Sequence, residues 1–305
     1  ATATGRVNDD FTVQLALGGR VDSVLLNPSL EPASVSGVVQ FDGAMNGRPG
    51  IDALRLTARI ADGRYSLPGA GVAFRNIAAT AQISGMSAQI DLRGESLSGG
   101  TGSVSGRIRL DGRREADLAV RVNGLVVQQP QLFDASVSGT VRLSGPLAAG
   151  ALVSGEVSVD QAEIRIPNSP LGRQGFGLTG LTHVGEDAAS RRTRINAGIA
   201  SGTRVGAAPI PLRLDLQLNA PGRVFVRGRG LDAELGGTLR LGGTTRDVVP
   251  AGSFTLIRGR LDLLGNRFTL TDGSASMIGS FMPFVRLTAT TESDGVLTSV
   301  TLSGQ

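Results

Sequence analysis

The sequence predicts an all-β chain whose strands form one long, curved, repetitive sheet, folded into an open trough with an apolar interior. Three observations predict it. A seven-residue alternation recurs five times, glycine fills 44 of 305 positions, and no window shows helical periodicity.

The repeated pattern is apolar, polar, glycine, polar, apolar, polar, apolar. It first reads Val35-Ser36-Gly37-Val38-Val39-Gln40-Phe41, where Val38 is the one exception, and then Val104-Ser105-Gly106-Arg107-Ile108-Arg109-Leu110. It returns as Val137 to Leu143, Val153 to Val159 and Leu235 to Leu241, each with glycine in third place. Side chains in a strand alternate faces. Each copy therefore puts three apolar residues and a glycine on one face and polar residues on the other. Further runs alternate the same way: Phe11 to Leu17, Leu54 to Ile60, Leu118 to Val122, Leu212 to Leu218, Val285 to Ala289 and Val296 to Leu302. Turn-forming pairs punctuate them, at Asp62-Gly63, Asp111-Gly112, Asn123-Gly124, Gly145-Pro146, Asp272-Gly273 and Asp294-Gly295.

Spacing sets the repeat. Gly139 and Gly155 are 16 apart, Gly106 and Gly139 33, Gly37 and Gly106 69, and Gly155 and Gly237 82. These are close to one, two, four and five rungs of 16 to 17 residues, each a strand plus its turn. About 18 strands would make a sheet roughly 85 Å long. Its apolar face is too large to stand in water uncovered, and a barrel, a sandwich or a lengthwise trough would shelter it. Glycine on that face favours strong inward curvature. The chain reads as one elongated domain over 1–305, with an irregular stretch of long loops at 167–211.

Composition narrows the function. Apolar residues make up 40 %, aromatics 4 %, and tryptophan and cysteine are absent. That excludes a disulfide framework and a thiolate metal site. All thirty basic residues are arginine, yet net charge is only +4, too small and dispersed for nucleic-acid binding. No apolar run approaches the roughly 18 residues that span a bilayer, so the chain reads as a soluble segment of a larger protein. The single histidine, His183, has only Glu186 and Asp187 nearby in a charged loop, which makes neither a triad nor a metal cluster. Gly175-Phe176-Gly177-Leu178-Thr179-Gly180 fits a dinucleotide fingerprint, but no helix signal follows it. Asp9-Asp10 reads as a turn, and the pairs Arg227 with Arg229 and Arg258 with Arg260 as an outward solvated face. No enzyme, cofactor or metal is expected.

Pro221-Gly222-Arg223-Val224-Phe225-Val226-Arg227-Gly228-Arg229-Gly230-Leu231-Asp232-Ala233-Glu234-Leu235-Gly236-Gly237-Thr238-Leu239 resembles the C-terminal region of the TamB family. So does Gly252-Ser253-Phe254-Thr255-Leu256-Ile257-Arg258-Gly259-Arg260-Leu261-Asp262. The likeness is most specific over 221–305. It implies the family's "β-taco", a trough with an apolar interior, in a periplasmic bridge of a Gram-negative envelope. Members are anchored in the inner membrane by an N-terminal helix, which this chain lacks. They partner a TamA-like outer-membrane barrel, expected here to dock through parts outside this chain. The family is related to AsmA-like and bridge-like lipid transfer proteins. The implied function is movement of phospholipids to the outer membrane, with assembly of outer-membrane proteins such as autotransporters as the alternative.

On that reading acyl chains lie along the apolar face. The residues expected to line the groove are Val35, Val39, Phe41, Val104, Ile108, Leu110, Val137, Val141, Leu143, Val153, Val157, Val159, Leu212, Leu214, Leu216, Leu218, Leu235, Leu239 and Leu241. A scaffold that accepts client strands at an open sheet edge, or a closed, dry β-solenoid, are the other readings of the same pattern.

Overall fold

A computed structural model of the chain describes residues 1–30, 33–67, 72–129, 132–166, 210–293 and 295–305. The long alternating runs in them fall on strands, except that Phe11, at a left-handed φ of 62°, stands outside the strand that starts at Val13, and Gly37 divides the first repeat between two strands. In order the strands are β1 Thr2–Val7, β2 Val13–Asp22, β3 Ser34–Ser36, β4 Val38–Gly47, β5 Leu54–Leu67, β6 Val72–Ser84, β7 Ser87–Ser96, β8 Thr101–Arg109, β9 Glu115–Gln129, β10 Phe133–Pro146, β11 Leu152–Arg165, β12 Arg213–Gly228, β13 Leu231–Gly243, β14 Val248–Leu263, β15 Asn266–Ile278, β16 Phe284–Ser293 and β17 Val296–Gly304. Helical structure among the described residues is confined to single turns, such as Asn27–Leu30 and Ile51–Ala53.

The strands form one sheet of 17. β1 pairs with β2, β2 with β4, and β4 and the short β3 both with β5. From β5 each strand pairs with the next in sequence as far as β17. No described ladder joins the first strand to the last, so the sheet is open. Because β3 and β4 share one side of β5, fifteen lateral steps separate β1 from β17, about 72 Å. The chain exposes 19744 Å2, against about 12,000 Å2 for a globular protein of this mass. Among the described residues fifteen apolar side chains are buried, and seven of these are alanine. Among the described residues stability rests on lateral strand pairing and small local clusters, without one central core.

Three of the expected turns are not turns. Asp62-Gly63, Asn123-Gly124 and Asp272-Gly273 lie inside β5, β9 and β15, at places where the ladder register shifts. Asp111-Gly112 and Gly145-Pro146 do fall at strand ends. The shifts continue from strand to strand: at Ser136/Val137, Ser158/Ala162, Ala220/Val224, Glu234/Leu235 and Leu270/Asp272. Each lies against its neighbour from β9 to β14, the β14–β15 ladder opens at the same level without a shift of register, and β15–β16 shifts again, so the irregularity crosses the sheet from β9 to β16. A bulge bends its strand and tightens its twist. Aligned bulges give the sheet a lengthwise crease, and the long strands cross it without interruption.

Bulges free backbone donors, and polar side chains answer them. The Gly124 N–H donates to Ser138 Oγ at 2.9 Å, and that hydroxyl donates to Asp160 Oδ2 at 2.6 Å. The crease is thereby tied across β9, β10 and β11. Farther along, Arg223 holds a left-handed φ of 60°, and its N–H donates to Glu234 Oε1 at 3.1 Å. Arg258 Nε donates to the other carboxylate oxygen at 2.6 Å. The Arg258 guanidinium, followed by the Arg223 N–H, holds the Glu234 carboxyl below its ordinary value of 4.5. A depressed folded-state pKa stabilises above the unfolded value and loses that contribution as pH falls through the folded one. Glu234→Gln is therefore expected to lower the urea midpoint at neutral pH, with the gap to the parent narrowing as the solution is acidified below about 4.5. A gap that is constant across this range would contradict the assignment.

The repeat count needs one correction. Gly155 and Gly237 were expected five rungs apart, but they lie on β11 and β13, two strands apart. The cause is the β11–β12 pair, the one parallel ladder among the described residues. A tight hairpin cannot join parallel neighbours, and β11 and β12 pair directly although Arg165 and Arg213 are far apart in sequence. The expected irregular stretch at 167–211 lies, apart from its last two residues, outside the described residues. Across it the sheet is continuous. Four polar contacts sew the parallel seam on the charged face: Asn219 to Glu156, Arg223 to Gln161 at 2.7 Å, Arg227 to Glu163 at 3.2 Å, and Arg213 to the Gly150 carbonyl at 3.4 Å.

Candidate functional site: an unbroken apolar face

Registers, rather than alternation alone, decide which residues share a face. On β9 and β10, Leu118 lies opposite Leu143, Val120 opposite Val141, and Val122 opposite Gly139. On β10 and β11, Leu143 meets Val153, Val141 meets Gly155, and Val137 meets Val159. The parallel seam keeps the phase, since Val153, Gly155 and Val157 lie beside Leu214, Leu216 and Leu218. Beyond it, Leu216 and Leu218 face Leu241 and Leu239, and Val224 faces Leu235. In β8, Val104 and Ile108 continue the face beside Val120 and Ala116. Val39 and Phe41 oppose Val21 and Ala58, and Val35 opposes Tyr65. Leu110 and Leu212 lie just past strand ends, where their N–H groups donate to the Met86 carbonyl at 2.9 Å and Thr245 Oγ1 at 3.1 Å. All nineteen expected residues are thus placed, seventeen of them on strands. From β9 to β14 no paired position on this face is charged.

Alternation missed part of the face because each bulge shifts the phase. Val159 is followed on the same side by Ala162, and Ala220 by Val224. Ala162, Ala220 and Val224 form a buried cluster with Val159, Leu235 and Phe254 beside it. A second cluster holds Ala233, Leu261, Phe268, Leu270 and Ala289. The visible signal was the run Gly252-x-Phe254-x-Leu256, but a counted period of two loses step at Ile257, the extra residue of β14.

Apolar side chains crowd this face although described strands pack only edge to edge. Leu239 is 7 % exposed, while Arg240 beside it on the other face is 69 % exposed at its side chain. Crowding on one side and splaying on the other is what curvature toward the apolar side produces. Glycines permit it. A Cβ on Gly106 would lie 2.1 Å from the Asp117 carbonyl oxygen, on Gly155 2.3 Å from that of Thr140, and on Gly237 2.1 Å from that of Ser253. Gly106 and Gly155 also hold φ of 144° and 147°, a region closed to other residues. Elsewhere glycine clears space for an aromatic: a Cβ on Gly102 would stand 3.2 Å from the Phe74 ring, two strands away.

Charge is kept to the opposite face and used there in cross-strand pairs. Arg142 grips Asp117 with two bonds of 2.7 Å, which hold the Asp117 carboxyl below its usual range. A chain of ions runs across five strands: Asp134 with Arg165, Arg165 with Glu163, Glu163 with Arg227, Arg227 with Asp232 and Asp232 with Arg260. Arg227 also stacks on Phe225, 4.8 Å from the ring centre. Of the arginines expected as an outward solvated face, Arg227, Arg258 and Arg260 do lie exposed on this side and also pair across strands. Asp10 does cap its turn, accepting from the Thr12 N–H at 3.0 Å and from its hydroxyl.

Among the described residues no three or more His, Asp or Glu side chains converge on a metal position. Shallow hollows lie on the charged face, such as that bounded by Thr140, Glu156, Asn219 and Thr238. His183, Glu186, Asp187 and the glycines from Gly175 to Gly180 lie outside the described residues. No described helix is long and apolar enough to cross a membrane. What the described surface offers is an apolar lining some fifteen strands long, without directional contacts.

A family model described as the TamB C-terminal domain matches residues 89–305. The matched span opens in β7 and takes in the crease, the parallel seam and every strand after them. No curated protein matches the chain.

Proposed function

This chain belongs to the TamB family, and from that membership we propose that it is a periplasmic segment of a bridge that carries phospholipids between inner and outer membrane, with acyl chains lying along its apolar face. The single observation that carries this reading is the continuity of that face across β8 to β14, parallel seam included. An acyl chain gains roughly 0.8 kcal/mol for each methylene taken from water. Two chains are held firmly in sum, yet no polar group on the face fixes them at one place. Such a lining favours sliding over capture. Headgroups, which need water and ions, stay at the open mouth. Covalent chemistry has no part in this function, and the barrel partner of the family's assembly role, a TamA-like protein, would receive the end of the path.

The test is the organic extract of the purified chain. Mass spectrometry is expected to find phospholipid at one or more molecules per chain after detergent-free purification. An extract without lipid, together with cross-links from the terminal strands to nascent barrel proteins, would establish the scaffold function instead.

A further inference from the structure

Along nearly every strand the face opposite the apolar lining carries polar or charged side chains. Single apolar residues such as Val38, Phe225 and Leu297 interrupt it, and at one place several gather. At the end where β14, β15 and β16 meet, Val249, Ile278 and Phe284 occupy positions on the charged face, as their partners Gly242, Ala251 and Ser276 show. The β15–β16 connection adds Phe281 and Met282. Ile278 is 89 % exposed, Phe281 57 %, Met282 63 % and Phe284 50 %. From Ile278 through Val285 the sequence Ile-Gly-Ser-Phe-Met-Pro-Phe-Val holds no charge.

The turn is built and not slack. Gly279, at φ 76°, donates its N–H to the Pro250 carbonyl at 2.8 Å, and the Met282 N–H is met by Ser280 Oγ at 3.1 Å. These bonds satisfy the backbone and push the side chains outward. Behind them Arg286 stands exposed and makes no ion pair with a described residue.

We propose that this turn is a lipid-surface anchor, which dips Phe281 and Met282 among the headgroups of a membrane beside β16 and β17. Charge and area select this occupant. The turn offers on the order of 500 Å2, short of the roughly 800 Å2 that each partner brings to a stable protein interface. An uncharged apolar tip backed by arginine suits an anionic membrane surface. Other exposed apolar turns lack that setting. Leu263 and Leu264 sit between Asp262 and Arg267, which pair with each other at 3.0 Å, and Val296 and Leu297 follow the acidic Glu292. The anchor rests on the conduit reading only for its purpose, which is to bring the apolar path against the bilayer.

The experiment floats the whole chain on vesicles of phosphatidylethanolamine and phosphatidylglycerol, beside the triple variant Ile278→Ser, Phe281→Ser, Met282→Ser. These side chains are exposed, so the thermal midpoint should be unchanged. The expected result is co-flotation of the parent and at least about a tenfold loss of binding in the variant. A second variant, Phe281→Trp, gives the chain its only tryptophan; its emission should move to the blue on vesicles and be quenched by bromolipids. Failure of the parent to float, equal flotation of the triple variant, or a vesicle-free dimer that the triple variant dissolves would each overturn the proposal. Lipid recovered from the variant at the parent's level separates this failure from failure of the conduit.

Discussion

Val141→Asp should abolish phospholipid transfer between donor and acceptor vesicles while leaving the sheet folded. Val141 lies in the middle of the apolar face, with Val120 on one side and Gly155 on the other. It is half-buried and its neighbour across the seam side is a glycine, so the aspartate has room and access to water when the groove is empty. When an acyl chain must pass, the carboxylate either stays hydrated and blocks it or is buried at a cost. A charged group held in hydrocarbon costs about 2.5–3.5 kcal/mol on insertion scales, which corresponds to a fall of roughly 100-fold in the rate of passage. Thr140→Asp is the control. It adds the same charge one residue away on the other face, where Arg121 and Glu156 are its cross-strand neighbours. Transfer should persist there. Undiminished transfer by folded Val141→Asp would remove the apolar face from the mechanism.

Gly155→Val should be the most damaging single change to the fold. The backbone at Gly155 sits at φ 147° and a Cβ would overlap the Thr140 carbonyl at 2.3 Å. Relieving the overlap means moving β10 away from β11 or forcing the residue into another backbone region. Strain of this kind costs about 1–3 kcal/mol, and loss of neighbouring ladder bonds adds to it. Because the described residues form no single central core, the damage is expected as local opening of β10 and β11, read as faster amide hydrogen exchange in those strands. Gly112→Ala is the comparison, since it lies in open space without a positive φ, and it should leave both exchange and melting unchanged. Equal effects from the two substitutions would show that the repeated glycine is only a weak strand former.

The contrast between those two glycines marks how far the sequence could be read. Alternation in Val104 to Leu110 and Val137 to Leu143 was enough to predict strands, a single apolar face and an all-β sheet. It could not distinguish a turn from a bulge. Asn123-Gly124 carries the composition of a hairpin turn, yet it lies within β9, because Ser138 and Asp160 from the next two strands supply the bonds that hold a bulge there. Partners that distant in sequence leave no local trace. The same blindness hid Ala162 and Val224, whose faces were set by bulges upstream of them. The parallel pairing of Leu152–Arg165 with Arg213–Gly228 was also illegible, since nothing in either strand's alternation states its direction. Glycine's place in the repeat was plain, but its reason, a neighbouring carbonyl in the volume of the missing Cβ, belongs to the folded sheet alone.

The central claim is that lipid travels on the apolar face and nowhere else on this chain. Photo-crosslinking amino acids placed singly at Val120, Val141 and Leu216 report on that face, and at Thr140, Arg142 and Gln217 on the other. Irradiation in membranes, followed by mass spectrometry of the adducts, is expected to find phospholipid attached at the first three positions and none at the second three. Equal lipid labelling from both faces, or adducts of protein strands in place of lipid at Val120, Val141 and Leu216, would contradict it.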